Sequence, residues 1–191
     1  MSKTILYQIE FFNYWHSGSG LSGSTYADNV VNKTNQNLPY IPGKTLKGLM
    51  RDAAERIHAL NPQMVNENFI QEVFGKKSDT NEATKDNEGK AFFANALLSE
   101  NLTKRIIEDK NNLSDSLYSV LSATKIDEYG QAADGSLRQL EVTIPVTLYG
   151  SIEHFPEGYE QEIQYCMDWI KEMGQNRNRG LGKCKFSILN Q

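Results

Sequence analysis

A basic, glycine-containing segment near the C-terminus holds the side chains best suited to bind phosphate groups. It spans 174–186 and contains four basic residues and no acidic one. Arg177 and Arg179 supply forked donors for phosphate oxygens. Glycines let a ligand approach the backbone closely, and three lie in this segment: Gly174, Gly180 and Gly182. The segment therefore predicts a site for a polyanion, with a plain basic surface loop as the alternative.

A second candidate lies where the first long helix is predicted to begin. The start of a helix offers unpaired N–H groups and the positive end of its dipole. The residues there that suit an anion are Gly43, Lys44, Thr45, Lys47 and Arg51. This is not the phosphate-binding loop of nucleotide triphosphatases, because Leu38 occupies the position of the required earlier glycine. A capped, solvated helix start explains the same residues equally well.

Side chains that could catalyse a reaction are sparse. The motifs HExxH and GxSxG are absent, and the three histidines are scattered along the chain. Asp28 is the only acidic residue between positions 11 and 51, in a polar loop predicted at 17–37. Loops of this length in compact domains are often functional, but a lone loop aspartate is ordinarily a turn residue. The GxGxxG match at 18–23 is not followed by an apolar helix, which excludes a dinucleotide site.

Length and composition bound the class of protein. The chain has 191 residues and a formal charge of −4, which predicts one domain, 1–191. Two cysteines are too few for a disulfide framework and suit a reducing cytoplasm. No apolar run reaches the roughly 20 residues of a membrane span, and the N-terminus lacks a signal-peptide pattern, so we expect a cytoplasmic protein without a membrane partner.

The mean charge argues against a protein that binds polyanions. Charge is segregated along the chain, however, because 67–128 holds twelve acidic and eight basic residues while 174–186 is purely basic. The distribution, rather than the mean, predicts RNA bound along one basic face.

Apolar patterning predicts the elements that must position these residues. Strands are predicted at 5–15, 91–98, 138–153 and 184–189, and helices at 45–60, at 66–74 and from 159 onward. The core order is strand, helix, strand, strand, helix, strand, which is the ferredoxin-like (RRM-like) βαββαβ plan of the α+β class. A polar surface loop at 76–90 and an excursion at about 99–137, built around a long hairpin, interrupt this core.

Four segments, in this order, resemble the RAMP superfamily of CRISPR-associated proteins. They are LPYIPGKTLKGLMR, FG at 74–75, IDEYGQAADGSLRQLEV and GQNRNRGLGK. The resemblance spans nearly the whole chain and points to the repeating backbone subunit of type III RNA-guided effector complexes. It implies an RRM-like core with glycine-rich loops and a thumb hairpin. It also implies copies of the chain stacked with other CRISPR effector subunits along a guide RNA, with target RNA paired opposite.

The resemblance assigns roles to several segments. The PGKTLKG segment and the C-terminal glycine-rich loop are expected to contact the guide RNA backbone, with Arg51 one turn beyond the first. His16 falls near a histidine that follows the first strand in many relatives and joins the expected RNA-binding residues. The excursion resembles the thumb that inserts into the guide–target duplex and splays bases, with Ile126, Asp134 and Arg138 as its expected contact residues.

Asp28 matches the loop aspartate that cleaves target RNA in the backbone subunits. The reaction would be a metal-dependent attack of a ribose 2′-hydroxyl on the adjacent phosphate, leaving a cyclic phosphate. Asp28 would hold Mg²⁺ or Mn²⁺ or remove the proton. The chain departs from the family at two places: PGSSLKG reads PGKTLKG, and Asn95 stands where members often carry Asp.

Two alternatives stay open at this point. The chain could be a purely architectural subunit that binds RNA without cutting it. It could instead be a stand-alone endoribonuclease that processes precursor guide RNA, which requires a basic or histidine-centred site acting without metal. The sequence offers only His16 for such a site.

Overall fold

The computed structural model describes residues 2–20, 27–76 and 88–189. The strands are β1 (Ser2–Phe11), β2 (Phe92–Phe93), β3 (Tyr118–Ala123), β4 (Arg138–Thr143), β5 (Thr147–Pro156) and β6 (Cys184–Ile188). The helices are α1 (Gly43–Leu60), α2 (Glu67–Phe74), α3 (Glu100–Ile107) and α4 (Glu160–Trp169). Most of the polar loop predicted at 76–90 lies outside the described residues.

A four-stranded antiparallel sheet forms the centre of the protein, with its strands in the order β2-β5-β1-β6. Ile9 of β1 lies opposite Leu148 of β5 and Phe186 of β6. Alternation in β1 predicts one buried face, and the structure confirms it. The buried residues of β1 are Ile5, Tyr7, Ile9 and Phe11. Helices α1 and α4 contact each other and share one apolar core with the sheet, so the protein is mixed α+β.

The helix ends follow local sequence signals. Asn66 caps α2 by accepting the Phe69 N–H (2.8 Å), and Ser99 caps α3 by accepting the Leu102 N–H (3.3 Å). Such caps satisfy donors that a helix leaves unpaired at its first turn. Within the described ranges, no helix is both long enough and apolar enough to cross a membrane.

The prediction of one continuous strand at 138–153 is wrong. The structure divides it into β4, which pairs with β3 in a separate two-stranded sheet, and β5, which belongs to the central sheet. Pro145 lies between them and has no N–H to donate to a ladder. The neighbouring backbone instead bonds outside both ladders, because the Ile144 N–H donates to Leu117 (3.0 Å) and Val146 accepts from Phe11 (3.2 Å). The apolar alternation continues across the proline, which conceals the break in the sequence.

The predicted excursion contains a hairpin, but its boundaries differ from the prediction. Its first part is helical, with α3 followed by a 3₁₀ turn at Leu113–Leu117. The hairpin consists of β3 and β4 and therefore extends to Thr143, beyond the predicted limit of 137. We call residues 139–143 the hairpin base and residues 124–137 the hairpin lobe.

Candidate nucleic-acid interface

The segment that follows β1 lies against the hairpin base. Trp15 and Thr143 exchange two backbone hydrogen bonds (3.1 and 2.8 Å), and the Trp15 indole N–H donates to the Ile144 carbonyl (3.0 Å). The Trp15 ring also stacks on Phe11, with centroids 4.4 Å apart. These contacts fix the hairpin base against the end of the central sheet.

The C-terminal glycine-rich loop lies on the other side of the same segment. The Gln175 N–H donates to the His16 carbonyl (3.0 Å), and the Gly182 N–H donates to the Tyr14 carbonyl (2.8 Å). Asn13 binds the loop twice, since its amide donates to Gly180 (2.6 Å) and accepts from the Lys183 N–H (2.8 Å). The sequence gives no signal for this role of Asn13, because a single asparagine after a strand is ordinarily a turn residue.

His16 lies between the hairpin base and the glycine-rich loop. Its side chain is buried (1% exposed), and Nδ1 lies 2.6 Å from the Glu141 carbonyl oxygen. A carbonyl only accepts, so Nδ1 carries the proton and Nε2 is the acceptor of a neutral ring. Burial lowers the pKa of His16, against the opposing effect of the nearby Glu141 carbonyl and charge. The His16 ring is shielded from solvent in this structure. Its expected contact with RNA stays a prediction.

Asp28 is attached to the hairpin base. Its backbone N–H donates to the Gln139 carbonyl (2.9 Å), and its Oδ2 accepts the Gln139 N–H (2.7 Å). Asn29 then forms a parallel bridge with Leu140. The Asp28 side chain is exposed, and its second carboxylate oxygen has no partner among the described residues. The loop aspartate and the hairpin, predicted as separate features, therefore meet.

Glu141 is a residue of this region that the sequence did not single out. It is 1% exposed, its Oε1 lies 2.8 Å from Lys33 Nζ, and its Oε2 accepts the Val31 N–H (3.0 Å). The Lys33 ammonium lies 3.8 Å from the centre of the Tyr118 ring. Alternation within β4 indicates that Glu141 faces solvent. Segment 27–33 covers that face, so the pattern gives no signal for its burial.

The start of α1 contains the second group of predicted RNA-binding residues. Lys44 and Thr45 are exposed, and the Gly43 N–H donates to Asn95 Oδ1 (2.9 Å). Asn95 is the family departure noted in the sequence. In this structure it occupies one of the N–H groups that a helix start offers to an anion.

Lys47 and Arg51 both have partners within the protein. Lys47 donates to the Ala91 carbonyl (3.3 Å), and its pKa is lowered by burial and then by the Arg51 charge, with Glu88 opposing. Arg51 donates to Glu55 (2.9 Å) and to the Gly75 carbonyl (3.1 Å). These cations are directed towards the region of α2 and β2.

Arg177 meets α1 on another face. It lines a cavity of about 370 Å³ together with Asp52 and Arg56 of α1, whereas Arg51 lines a separate cavity of about 530 Å³ beside α2. Arg177 and Arg179 form a short 3₁₀ turn and are exposed. The glycine-rich loop thus lies beside α1, on a face of the helix other than the one that presents Arg51.

The hairpin lobe presents its side chains to solvent. Ile126 is 65% exposed and Tyr129 is 80% exposed. The lobe is held by its own turn, in which Asp127 Oδ1 accepts the N–H groups of Tyr129 and Gln131 (both 2.9 Å). Asp134 is exposed within it, and Arg138 begins β4 opposite Ala123. Exposed apolar side chains on a self-supported lobe suit contact with another molecule.

The donor set at Asp28 limits the kind of metal site. Across the described ranges, His, Cys, Asp and Glu form no group of three that could hold an ion. One carboxylate with a free oxygen does not make a cage. It fits Mg²⁺ or Mn²⁺ bound mainly by water and by phosphate oxygens, which is how Mg²⁺ commonly binds beside phosphorylated substrates.

Together, these features define an α+β protein with antiparallel sheets in which an aspartate-bearing loop is attached to the base of a hairpin, and segment 13–16 joins that base to a basic glycine-rich loop. The chain belongs to the RAMP superfamily, whose family model matches residues 8–185. This confirms the resemblance drawn from the four sequence segments. No curated protein matches the chain.

Solved structures similar to the chain include subunits of type III-B Cmr-beta complexes. A chain of the type III-B Cmr-beta complex in its apo state has a TM-score of 0.69 and 12% identity, with 98% of both chains covered. A chain of the Cmr-beta complex bound to cognate target RNA has a TM-score of 0.63 and 18% identity. That alignment covers 98% of this chain but spans only 60% of the other. At these identities, the likeness establishes the fold.

Proposed function

We propose that this chain is a guide-RNA-binding backbone subunit of a type III CRISPR interference complex, and that it cleaves complementary target RNA through Asp28. Membership of the RAMP superfamily supports the proposal. The fold likeness to two type III-B Cmr-beta chains, one from a complex that holds target RNA, supports it further. Its partners would be guide RNA, target RNA, other copies of itself and other effector subunits.

The proposal includes a ferredoxin-like, RRM-like core. The antiparallel strand order β2-β5-β1-β6 supports it, because counting only these four strands along the chain gives the order 2-3-1-4. Helices α1 and α4, which follow β1 and β5, pack together as the two helices of the βαββαβ plan.

The observation that carries the catalytic part is the attachment of Asp28 to the hairpin base at Gln139. If the hairpin lobe displaces bases of the duplex, the distorted target strand passes close to the exposed carboxylate. Distortion matters because the 2′-oxygen, phosphorus and leaving oxygen must come into line before the hydroxyl can attack.

Asp28 would act on the ribose 2′-hydroxyl, either by accepting its proton or by holding a divalent cation. The bond between phosphorus and the 5′-oxygen breaks and that oxygen takes up a proton from solvent, so the products are a cyclic phosphate and a free 5′-hydroxyl. A bound Mg²⁺ or Mn²⁺ would supply charge stabilisation at the phosphate. The chain's contribution is to orient the Asp28 carboxylate. The Gln139 N–H binds one carboxylate oxygen, and the Gln139 carbonyl binds the Asp28 backbone N–H.

The experiment compares Asp28→Asn with Asp28→Ala in the assembled complex, with complementary RNA and Mg²⁺. Asparagine keeps an oxygen that can accept the Gln139 N–H but removes the charge. We expect both variants to slow single-turnover cleavage by about 100-fold or more, as general-base contributions do. A matched control is Asp109→Asn, because the carboxylate of Asp109, a half-buried residue, also accepts a backbone N–H, that of Asn111 (2.8 Å).

A wild-type rate in Asp28→Asn would refute the catalytic part and favour the architectural subunit. That second candidate has one observation in its favour, since Asp28 lies outside any group of three possible metal ligands among the described residues. Guide binding should survive both substitutions under either candidate. Cleavage of repeat RNA by the purified chain in EDTA would instead support the guide-processing nuclease.

A further inference from the structure

A buried carboxylate, that of Glu141, lies two residues along β4 from Gln139, the residue to which Asp28 is hydrogen-bonded. Glu141 is 1% exposed in a protein whose remaining buried polar side chains are uncharged at neutral pH, within the described ranges. A buried ion pair seldom adds stability over apolar residues of the same size. The presence of this ion pair is better explained by the groups that it orients, because buried polar groups can specify one structural arrangement.

The carboxylate of Glu141 binds the Asp28 loop at two points. Oε2 accepts the Val31 N–H (3.0 Å), and Oε1 pairs with Lys33 (2.8 Å). The Glu141 backbone N–H also donates to the Asn29 carbonyl (3.0 Å). Asp28 itself bonds to Gln139, so the loop and β4 run side by side with attachments at both ends.

The pair is anchored on its far side as well. Lys33 lies over the Tyr118 ring of β3, at 3.8 Å from its centre, and the Tyr118 hydroxyl donates to the Asn37 carbonyl (2.9 Å). Burial, followed by the charges of Glu141 and Asp115, raises the pKa of Tyr118, so the hydroxyl keeps its proton. Both strands of the hairpin therefore hold the loop that carries Asp28.

We propose that Glu141 is a positioning residue for target cleavage: by clamping Val31 and Lys33 onto the hairpin base, it sets where the Asp28 carboxylate stands. This inference rests on the proposed function. A shift of the loop by one residue along β4 would move Asp28 away from Gln139 and turn successive side chains to opposite faces. Misplacement of a catalytic group by about 1 Å can cost roughly 100-fold in rate.

The test uses the assembled complex with guide RNA, complementary target RNA and Mg²⁺. Glu141→Gln keeps an acceptor for the Val31 N–H but ends the ion pair with Lys33. We expect it to slow single-turnover cleavage at saturating target by about 10- to 100-fold, with unchanged affinity for guide and target. Since Glu141 acts through Asp28, adding Glu141→Gln to Asp28→Asn should cause no further loss.

Two further variants keep the result interpretable. Lys33→Gln combined with Glu141→Gln replaces the pair by two amides, so it tests the clamp if the single substitution fails to fold. Glu72→Gln is the matched control, because it removes a solvent-accessible ion pair between α2 and Lys90 (2.7 Å) that includes no residue of this loop or of the hairpin. It should leave cleavage unchanged. Amide hydrogen exchange at 28–33 should become faster in the Glu141 variants and not in the control.

The outcomes separate the two claims. If Asp28→Asn abolishes cleavage while Glu141→Gln and the double amide variant cut at the wild-type rate, the positioning role is refuted and the proposed function stands. Losses from Asp28→Asn and Glu141→Gln that multiply in the combined variant also refute it, because Glu141 then acts independently of Asp28. If Asp28→Asn cuts normally, the proposed function fails and the inference falls with it.

Discussion

The glycine-rich loop allows a test of why its glycines are there. Gly180 and Gly182 both have a positive φ, +84° and +72°. A Cβ at position 180 would meet nothing within 4 Å, whereas one at position 182 would overlap the carbonyl oxygen of Met173. Alanine at the two positions therefore separates the cost of the backbone conformation from the cost of the contact.

The expected magnitudes follow from these two terms. Gly180→Ala should lower the free energy of unfolding by about 1–2 kcal/mol, the cost of a left-handed conformation for a residue with a Cβ. Gly182→Ala carries the same cost and must also relieve the overlap. The Gly182 N–H donates to Tyr14 (2.8 Å), and its carbonyl accepts from Met173 (2.9 Å). Losing both hydrogen bonds adds about 1–3 kcal/mol.

Urea denaturation of the purified protein measures the difference. Gly182→Ala should unfold at a lower urea concentration than Gly180→Ala, with the same slope, since the surface exposed on unfolding does not change. In a thermal melt each kcal/mol corresponds to roughly 2–4 °C for a chain of this size. Equal losses at the two positions would refute the reasoning, because they would mean that the close approach at Gly182 contributes nothing.

Three other expectations follow from the structure. Burial lowers the pKa of His16 below its ordinary 6.5. As the pH falls below about 6.5, the unfolded chain therefore takes up a proton at this position before the folded protein does, and the free energy of unfolding decreases. His16→Asn should make the urea midpoint decline less steeply with falling pH. Burial raises the pKa of Cys166 and Cys184 to about 12, so a thiol reagent at pH 8 should label them only as fast as the protein unfolds. Replacing Arg177 and Arg179 by Gln should weaken guide RNA binding and reduce its salt slope by about two.

Each expectation has a control. His154→Asn is the matched substitution for His16→Asn, because it alters an exposed histidine at a positive φ that Asn tolerates. Fast labelling of the thiols without denaturant would contradict their burial. Gln at Lys104 and Arg105 of α3 removes the same charge as Gln at the two loop arginines. An equal fall in salt slope there would assign the effect to net charge rather than to the loop.

Local patterns predicted the elements that depend on local contacts. The alternation in β1 and the 3.6-residue period of α1 and α4 appear in the structure where the sequence indicates them, because one face of each element faces the core. The prediction of a continuous strand at 138–153 is wrong because the division of this segment between two sheets depends on contacts distant in sequence. The same apolar alternation serves two different sheets on either side of Pro145.

By itself, the sequence determined the α+β character, the family and the presence of a basic loop, since each rests on residue types at fixed local spacing. Tertiary structure alone decided that Asp28 is attached to the hairpin base and that Glu141 is buried. Val31 and Glu141 are 110 residues apart, and alternation in β4 assigns Glu141 to solvent. Only folding brings the loop over that face, where a carboxylate must find partners before it can leave water. The net charge of −4 conceals both the exposed arginines of the loop and this one buried ion pair.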